Sequence, residues 1–420
     1  MKNLGRLGIA VALLVAGSLI YCGSGVQAAG GPRDVVVNAY NVLPPIESGN
    51  LLLFPVVEAG SKAPGATPFL TLDEGIKNGE VEVTEAGKVR GLVRPRGHER
   101  DREPVFQDDR YRGQPVPEED HFRGDQVNTL VLVNHSDKPL LLLAGEIVTG
   151  GKQDRVIAKD RIVPAGGEPI DLGVFCIEPG RWTESSATFG SAAKGSVHSF
   201  MVQPTVRQKA MVAKDQQEVW NSVRGTIAQL DVAAAPAASA SSVGGSYGYG
   251  GGSGTTSYAK TMQDSAVSEK VDEAAAPVMK LREQVLAKLR QEHAIGVVVA
   301  VRGEIVWADL FADTDLLARY WTKLVRSYAA ESLTTGDTHE APTVADAQRF
   351  LNAPSGGTET SEGDVGVYRY RELRSGSTET FVLESLLPGA GYDVHISKLK
   401  LRAAEHHAKS MEMYREMIPR

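Results

Sequence analysis

Between Gln126 and Trp182 five short apolar or β-branched runs follow one another at close spacing: residues 127–133, 140–143, 146–149, 155–157 and 170–175. Asn134-His135-Ser136-Asp137, Gly150-Gly151 and Pro164-Ala165-Gly166-Gly167 separate them, and these are turn residues. Connections this short leave no room for crossover helices, so the segment predicts antiparallel hairpins and a sandwich or partly open barrel. Helical periodicity surrounds this β-rich block. Residues 203–230 place Val206, Ala210, Ala213, Val219 and Val223 at helical intervals, and residues 271–293 and 313–330 repeat the pattern. The expected fold class is α+β: an antiparallel β-sandwich-like core packed by long helices, with a flexible low-complexity insertion.

Local signals place further elements. Residues 51–57 read as a strand, Thr71-Leu72-Asp73-Glu74 as a capping box opening a helix that Gly79 closes, and residues 80–84 as an alternating strand. Residues 294–301, the turn Arg302-Gly303 and residues 304–308 form a hairpin, which needs a sheet to join. Residues 365–370, 380–383 and 394–397 add strands, and a charged helix is expected from about Lys400.

The N-terminus carries a targeting signal. Lys2 and Arg6 precede an apolar run from Leu7 to Tyr21, and Val26-Gln27-Ala28 is a small-residue cleavage site. The chain is therefore expected to be exported, periplasmic or extracellular, with residues 1–28 removed and no membrane attachment afterwards. Losing Lys2 and Arg6 with the leader takes the net charge from −7 to −9, which argues against nucleic acid as a partner. Cys22 leaves too. Cys176 is then the sole thiol, expected as a small buried hydrophobe with no disulfide to form.

The remaining organisation divides as 29–230, a first part of the domain with a charged insertion at 94–124; 231–258, a Gly/Ser/Tyr-rich linker or insertion; 259–350, a second part; and 351–420, C-terminal strands and a charged helix. No metal or other cofactor is expected, because the nine histidines are scattered and His406-His407 point to different helix faces.

Two polar blocks interrupt the apolar sheet: residues 144–155, containing Glu146, Gly150, Gly151, Lys152, Gln153, Asp154 and Arg155, and residues 176–182, containing Glu178, Arg181 and Trp182. Paired glycines permit close backbone approach, and arginine forks match anionic groups. Three readings follow. The blocks line a pocket for a small anionic or nucleotide-like ligand; or Glu146 or Glu178 is the general base of a hydrolase; or the blocks are internal ties in an envelope structural or interaction protein.

Leu143-Ala144-Gly145-Glu146, Gly150-Gly151-Lys152-Gln153-Asp154-Arg155, Val163-Pro164 and Val174-Phe175-Cys176-Ile177-Glu178-Pro179-Gly180-Arg181-Trp182 resemble the ARPP domain family, named for association with ADP-ribosylglycohydrolases and rhodanese-phosphatase superfamily members. Gln217, Trp220, residues 296–300 and Ala308-Asp309-Leu310-Phe311 fit the same pattern, for a coverage of about residues 35–350. The resemblance implies no established reaction. The stretch around 94–124 and the Gly/Tyr tract look like additions to the family pattern.

Overall fold

The computed structural model describes residues 40–58, 69–85, 128–181, 184–191, 199–235, 254–280, 282–355, 357–389 and 391–401. The expected leader, the expected charged insertion 94–124, most of the tract 231–258, Trp182 and the expected C-terminal helix lie outside the described residues.

The chain is a mixed α+β protein with large antiparallel sheets. The largest has nine strands and runs Tyr40–Val42, Leu51–Glu58, Ala294–Val301, Glu304–Phe311, Asp393–Lys400, Thr378–Ser385, Tyr368–Ser375 and Thr358–Asp364, with Ile46–Ser48 also paired to Leu51–Glu58. The hairpin turning at Arg302-Gly303 finds its sheet by pairing Ala294–Val301 with Leu51–Glu58, so strands from before and after the low-complexity tract share one hydrogen-bonded layer. All eight residues of Ala294–Val301 are buried, the pattern of a central strand covered on both faces.

A six-stranded sheet orders Phe189–Gly190, Ile147–Gly150, Arg155–Ile157, Ile170–Cys176, Thr129–Asn134 and Val81–Glu85. A three-stranded one contains Arg161–Val163, Leu140–Leu142 and Leu70–Thr71, the last pairing in parallel. Leu72 of the short helix Leu72–Asn78 and Val83, Leu132, Leu142, Ile157 and Val174 of these two sheets belong to one apolar cluster. The second, larger cluster gathers Leu53, Trp307 and Phe381 of the nine-stranded sheet with Val223, Val271 and Leu324 of the helices. The helix Thr314–Leu333 is buried from Leu316 through Ser332 apart from Arg319 and Thr322, because it packs against both the helix Ser265–Lys280 and the strand Ala294–Val301.

The capping box forms as the sequence predicts: the Glu74 amide donates to Thr71 Oγ1 at 3.4 Å, the Thr71 amide donates to Glu74 Oε2 at 3.0 Å, and Gly79 ends the helix at φ 71°. Residues 203–230 differ from the single helix expected. Pro204–Gln208 passes into a π turn over Lys209–Ala213, Lys214 turns left-handed at φ 52°, and Gln216–Ala234 starts afresh. Asp215 accepts from the Glu218 amide at 2.9 Å, so the residue that helical periodicity treats as interior serves as an N-cap. The expected helix at 271–293 is helical over Ser265–Lys280 and Arg282–Gln291, and Leu281 between them lies outside the described residues.

Candidate functional site

The strand Ile147–Gly150 ends in a turn whose glycines are sterically required. A Cβ on Gly150, at φ 130°, would sit 2.4 Å from Ser186 Oγ, and one on Gly151, at φ 51°, would sit 2.2 Å from the Phe189 ring. The amides of this turn point at side chains of the same chain. Gly150 donates to Asp154 Oδ1 at 3.1 Å, Gly151 to Ser186 Oγ at 3.2 Å, and Lys152 to Glu85 Oε1 at 2.9 Å. Successive turn amides can cradle an anion; here two of the three face internal carboxylates and the third a hydroxyl.

The two polar blocks come together. Asp154 donates its amide to Glu178 Oε2 at 3.2 Å, and Gln153 Nε2 donates to the Glu178 carbonyl at 3.0 Å. Arg181 Nη2 lies 2.5 Å from Glu178 Oε2 and 3.6 Å from Asp154 Oδ1, while Nη1 donates to the Gly151 carbonyl at 3.2 Å. Lys260 reaches Glu178 Oε1 at 3.4 Å, and Ser257 Oγ donates to Asp154 Oδ2 at 2.7 Å. Arg155 is fully buried, donates to Gln153 Oε1 at 3.3 Å and lies 4.0 Å from Glu85 Oε1. Only the rim reaches solvent: the side chain of Arg181 is 19% exposed and that of Lys260 57%. Burial, reinforced by neighbouring Glu178, pushes the Asp154 carboxyl up; burial acts the same way on Glu178, but Arg181 outweighs it and holds Glu178 below the usual carboxylate range.

Glu146 belongs to another network. Its Oε1 lies 2.6 Å from Lys323 Nζ and its Oε2 accepts from the Leu143 amide at 2.7 Å. Lys323 also lies 2.5 Å from Asp73 Oδ2, which accepts from Ser199 Oγ at 2.6 Å. Burial raises the Glu146 carboxyl above its ordinary value, with Lys323 opposing. Cys176 is buried and burial pushes its thiol up, as befits a small hydrophobe.

A third polar array joins residues far apart in sequence. His395 lies with Nδ1 2.6 Å from Asp160 Oδ2 and Nε2 3.2 Å from Asp309 Oδ1, and all three side chains are fully buried. Arg207 Nη1 lies 2.9 Å from Asp309 Oδ2, Nη2 donates to Ser397 Oγ at 3.1 Å, and the guanidinium stacks 4.6 Å over Trp307. Tyr328 donates its hydroxyl to Asp309, and the Ala144 amide donates to Asp160 Oδ1 at 2.7 Å. Two acids and two cations make the array neutral when His395 is protonated. Burial opposes that charge, but Asp160 and Asp309 outweigh it and raise His395 to about 9.

Nothing in the sequence marks this array as a site. Its legible trace is one charged residue in an apolar strand: Asp309 in Ile305-Val306-Trp307-Ala308-Asp309-Leu310-Phe311, and His395 between Val394 and Ile396. The Leu143-Ala144-Gly145-Glu146 block stands at the junction of two networks. Ala144 caps Asp160, Glu146 holds Lys323, and a Cβ on Gly145 would meet Arg207 Cδ at 2.9 Å.

A family model for the ARPP-1 domain, the ARG and Rhodanese-Phosphatase-superfamily-associated Protein domain, matches residues 39–399. The chain belongs to the ARPP-1 family. Its match runs past residue 350, so the last strands, with His395, are part of the ARPP-1 domain rather than an appendage. Comparison with curated proteins and with solved structures finds no match to either. Within the ARPP-1 domain, no group of three or more His, Cys, Asp or Glu among the described residues could hold a metal ion, and no described helix is long and apolar enough to cross a membrane.

Proposed function

We propose that this ARPP-1 chain binds a small anionic or nucleotide-like ligand at the rim formed by Arg181 and Lys260 beside Gly150, Gly151 and Lys152. One observation carries the reading: Arg181 and Lys260 grip the two oxygens of a single carboxylate, Glu178, from the solvent side. A ligand carboxylate or phosphate would be held in the same way. In this reading Gln153, Asp154 and Arg155 lie behind the rim and fix its position, and the antiparallel layers form a sandwich-like frame around it. Export through the N-terminal leader would bring the site into the periplasm or medium, and an N-terminus near Ala29 on protein from the native host is the expected mass-spectrometric result; one at Met1 refutes it.

A hydrolytic role for Glu146 or Glu178 has less support, since both oxygens of each already have partners. The reading of the blocks as internal ties is favoured by the turn amides, which already face Asp154, Ser186 and Glu85. Titration calorimetry with pyrophosphate and ADP, on the wild type and Arg181→Ala, separates the two. The rim reading expects saturable binding that the variant loses while its unfolding midpoint barely moves. Absent binding, together with a stability loss of about 3–5 kcal/mol from the stranded carboxylates, establishes internal ties instead.

A further inference from the structure

A strand at the edge of a sheet presents unpaired amides and carbonyls to any chain that can pair with them. Among the described residues, each sheet edge of this protein is short or covered except one. The six-stranded sheet ends in Phe189–Gly190, two residues, and in Val81–Glu85, buried at four of its five positions. The three-stranded sheet ends in strands of three and two residues, Arg161–Val163 and Leu70–Thr71. One side of the nine-stranded sheet is bounded by the three-residue strands Tyr40–Val42 and Ile46–Ser48. There Gln348 stands in for a neighbouring strand, accepting from the Val42 amide at 2.9 Å and donating to the Tyr40 carbonyl at 3.0 Å, and Ser48 donates its hydroxyl to the Ala274 carbonyl of the helix Ser265–Lys280. The other side ends in Thr358–Asp364. This strand is seven residues long, exposed at all but the half-buried Asp364, and has no lysine, proline or bulge to turn a neighbour away. It is nonetheless firmly placed: it keeps one register with Tyr368–Ser375 along its whole length, and Lys159 and Arg161 hold Glu362 at 2.6 Å and Asp364 at 3.1 Å.

A second copy of the chain fits this edge. A two-fold axis along the sheet normal keeps every side chain on its own face, and an axis through Ser361 overlaps all seven residues. Thr358 then opposes Asp364 of the copy, Glu359 opposes Gly363, Thr360 opposes Glu362, and Ser361 opposes its own counterpart. No carboxylate faces another directly, whereas an axis at Glu359 or Glu362 would set like charges against each other. Glu362 and Asp364 are already balanced by Lys159 and Arg161, so little net charge remains to repel the copy. The same register places Val365, a fully exposed apolar residue directly after the strand, opposite Gly357 of the copy. We propose that Thr358–Asp364 is a self-association edge, at which two copies of the chain pair antiparallel and join their nine-stranded sheets into one. None of these residues belongs to the Arg181 rim, so the inference stands apart from the anion reading.

The test uses a chain lacking residues 1–28, so that the apolar run from Leu7 to Tyr21 cannot itself associate; its one thiol, Cys176, is buried. Seven residues at about 3.4 Å each make an edge about 24 Å long, an interface well below about 1,200 Å² and of the transient class. Sedimentation velocity should therefore show a monomer–dimer equilibrium with a Kd on the order of 0.1 mM. Ser361→Glu sets two carboxylates against each other across the axis while facing Arg371 within its own chain, and should raise that Kd about fivefold with the unfolding midpoint unchanged. Ser361→Cys should form a disulfide-linked dimer under mild oxidation about tenfold faster than Thr358→Cys, whose counterpart in this register is Asp364 and not a second cysteine. Both positions are exposed, so the variants leave the fold intact, which circular dichroism would verify. A chain that stays monomeric up to about 1 mM overturns the proposal and leaves the edge to a strand of another protein. A dimer that Ser361→Glu does not weaken overturns it as well, as do equal cross-linking rates at the two positions.

Discussion

Raising the pH should loosen this protein through His395. The imidazole sits between Asp160 and Asp309, with Arg207, Tyr328 and Tyr370 also facing the array, and the two aspartates raise it to about 9 against an ordinary 6.5. A folded-state value above the unfolded one means that the native chain holds the extra proton. The stabilisation is complete below pH 6.5 and drains away as pH rises through 9. Since one unit corresponds to about 1.4 kcal/mol, the full loss is about 3 kcal/mol, and complete burial leaves no solvent screening to reduce it. Lys398 works in the opposite sense. Burial lowers it to about 8, so between pH 8 and its unfolded value the unfolded chain binds more protons and stability rises. Tyr328 and Tyr370 are raised well above 10 and stay silent in this window. The assay is urea unfolding at intervals from pH 6 to 10 on the wild type and His395→Gln, taking the difference at each pH so that Lys398 cancels. The difference should shrink by about 3 kcal/mol between pH 6.5 and 9. A flat or growing difference would falsify the assignment of a charged His395, and Asp160→Asn, which removes one of its two acids, should move the drop toward neutral pH.

Other outcomes follow from the same geometry. Lys323→Met leaves Glu146 buried beside Asp73 without its cation and should cost about 3–5 kcal/mol in denaturant unfolding; a loss under about 1 kcal/mol would show that Glu146 simply protonates. Gly303→Ala forces a side chain into φ 81° and against the His339 carbonyl, so a loss above about 1–2 kcal/mol is expected, and an unchanged midpoint would mean that the segment moves aside at no cost. In a chain lacking residues 1–28, Cys176 should react with iodoacetamide only as fast as the protein unfolds, and rapid labelling of folded protein would contradict its burial.

Local chemistry was legible wherever a residue's conformation depends on its chain neighbours. Thr71 and Glu74 satisfy each other's amides across three residues, Gly79 and Gly303 take positive φ, and the apolar runs of residues 127–175 lie largely in strands. The strand Thr358–Asp364 escaped because it is a sheet edge exposed on both faces: with no buried side, it has no reason to alternate. The short helix Val344–Asn352 escaped too, although Thr343 and Asp346 carry a capping box of the same kind.

The sequence by itself determined where this chain turns, which segments are apolar enough to be covered, and which residues carry charge into them. What those charges do was decided only in three dimensions. Arg155, Glu178 and Arg181 lie near one another in sequence, so their meeting could be anticipated, but Glu85 and Lys260, which complete their cluster, arrive from distant segments. Asp160, Arg207, Asp309 and His395 come from four separate segments, and none has an ionic partner nearby in the chain. A buried charge is tolerable only beside its counter-charge, and that pairing is a property of the folded layers: only the packing of the strand bearing His395 beside that bearing Asp309 brings the array into being.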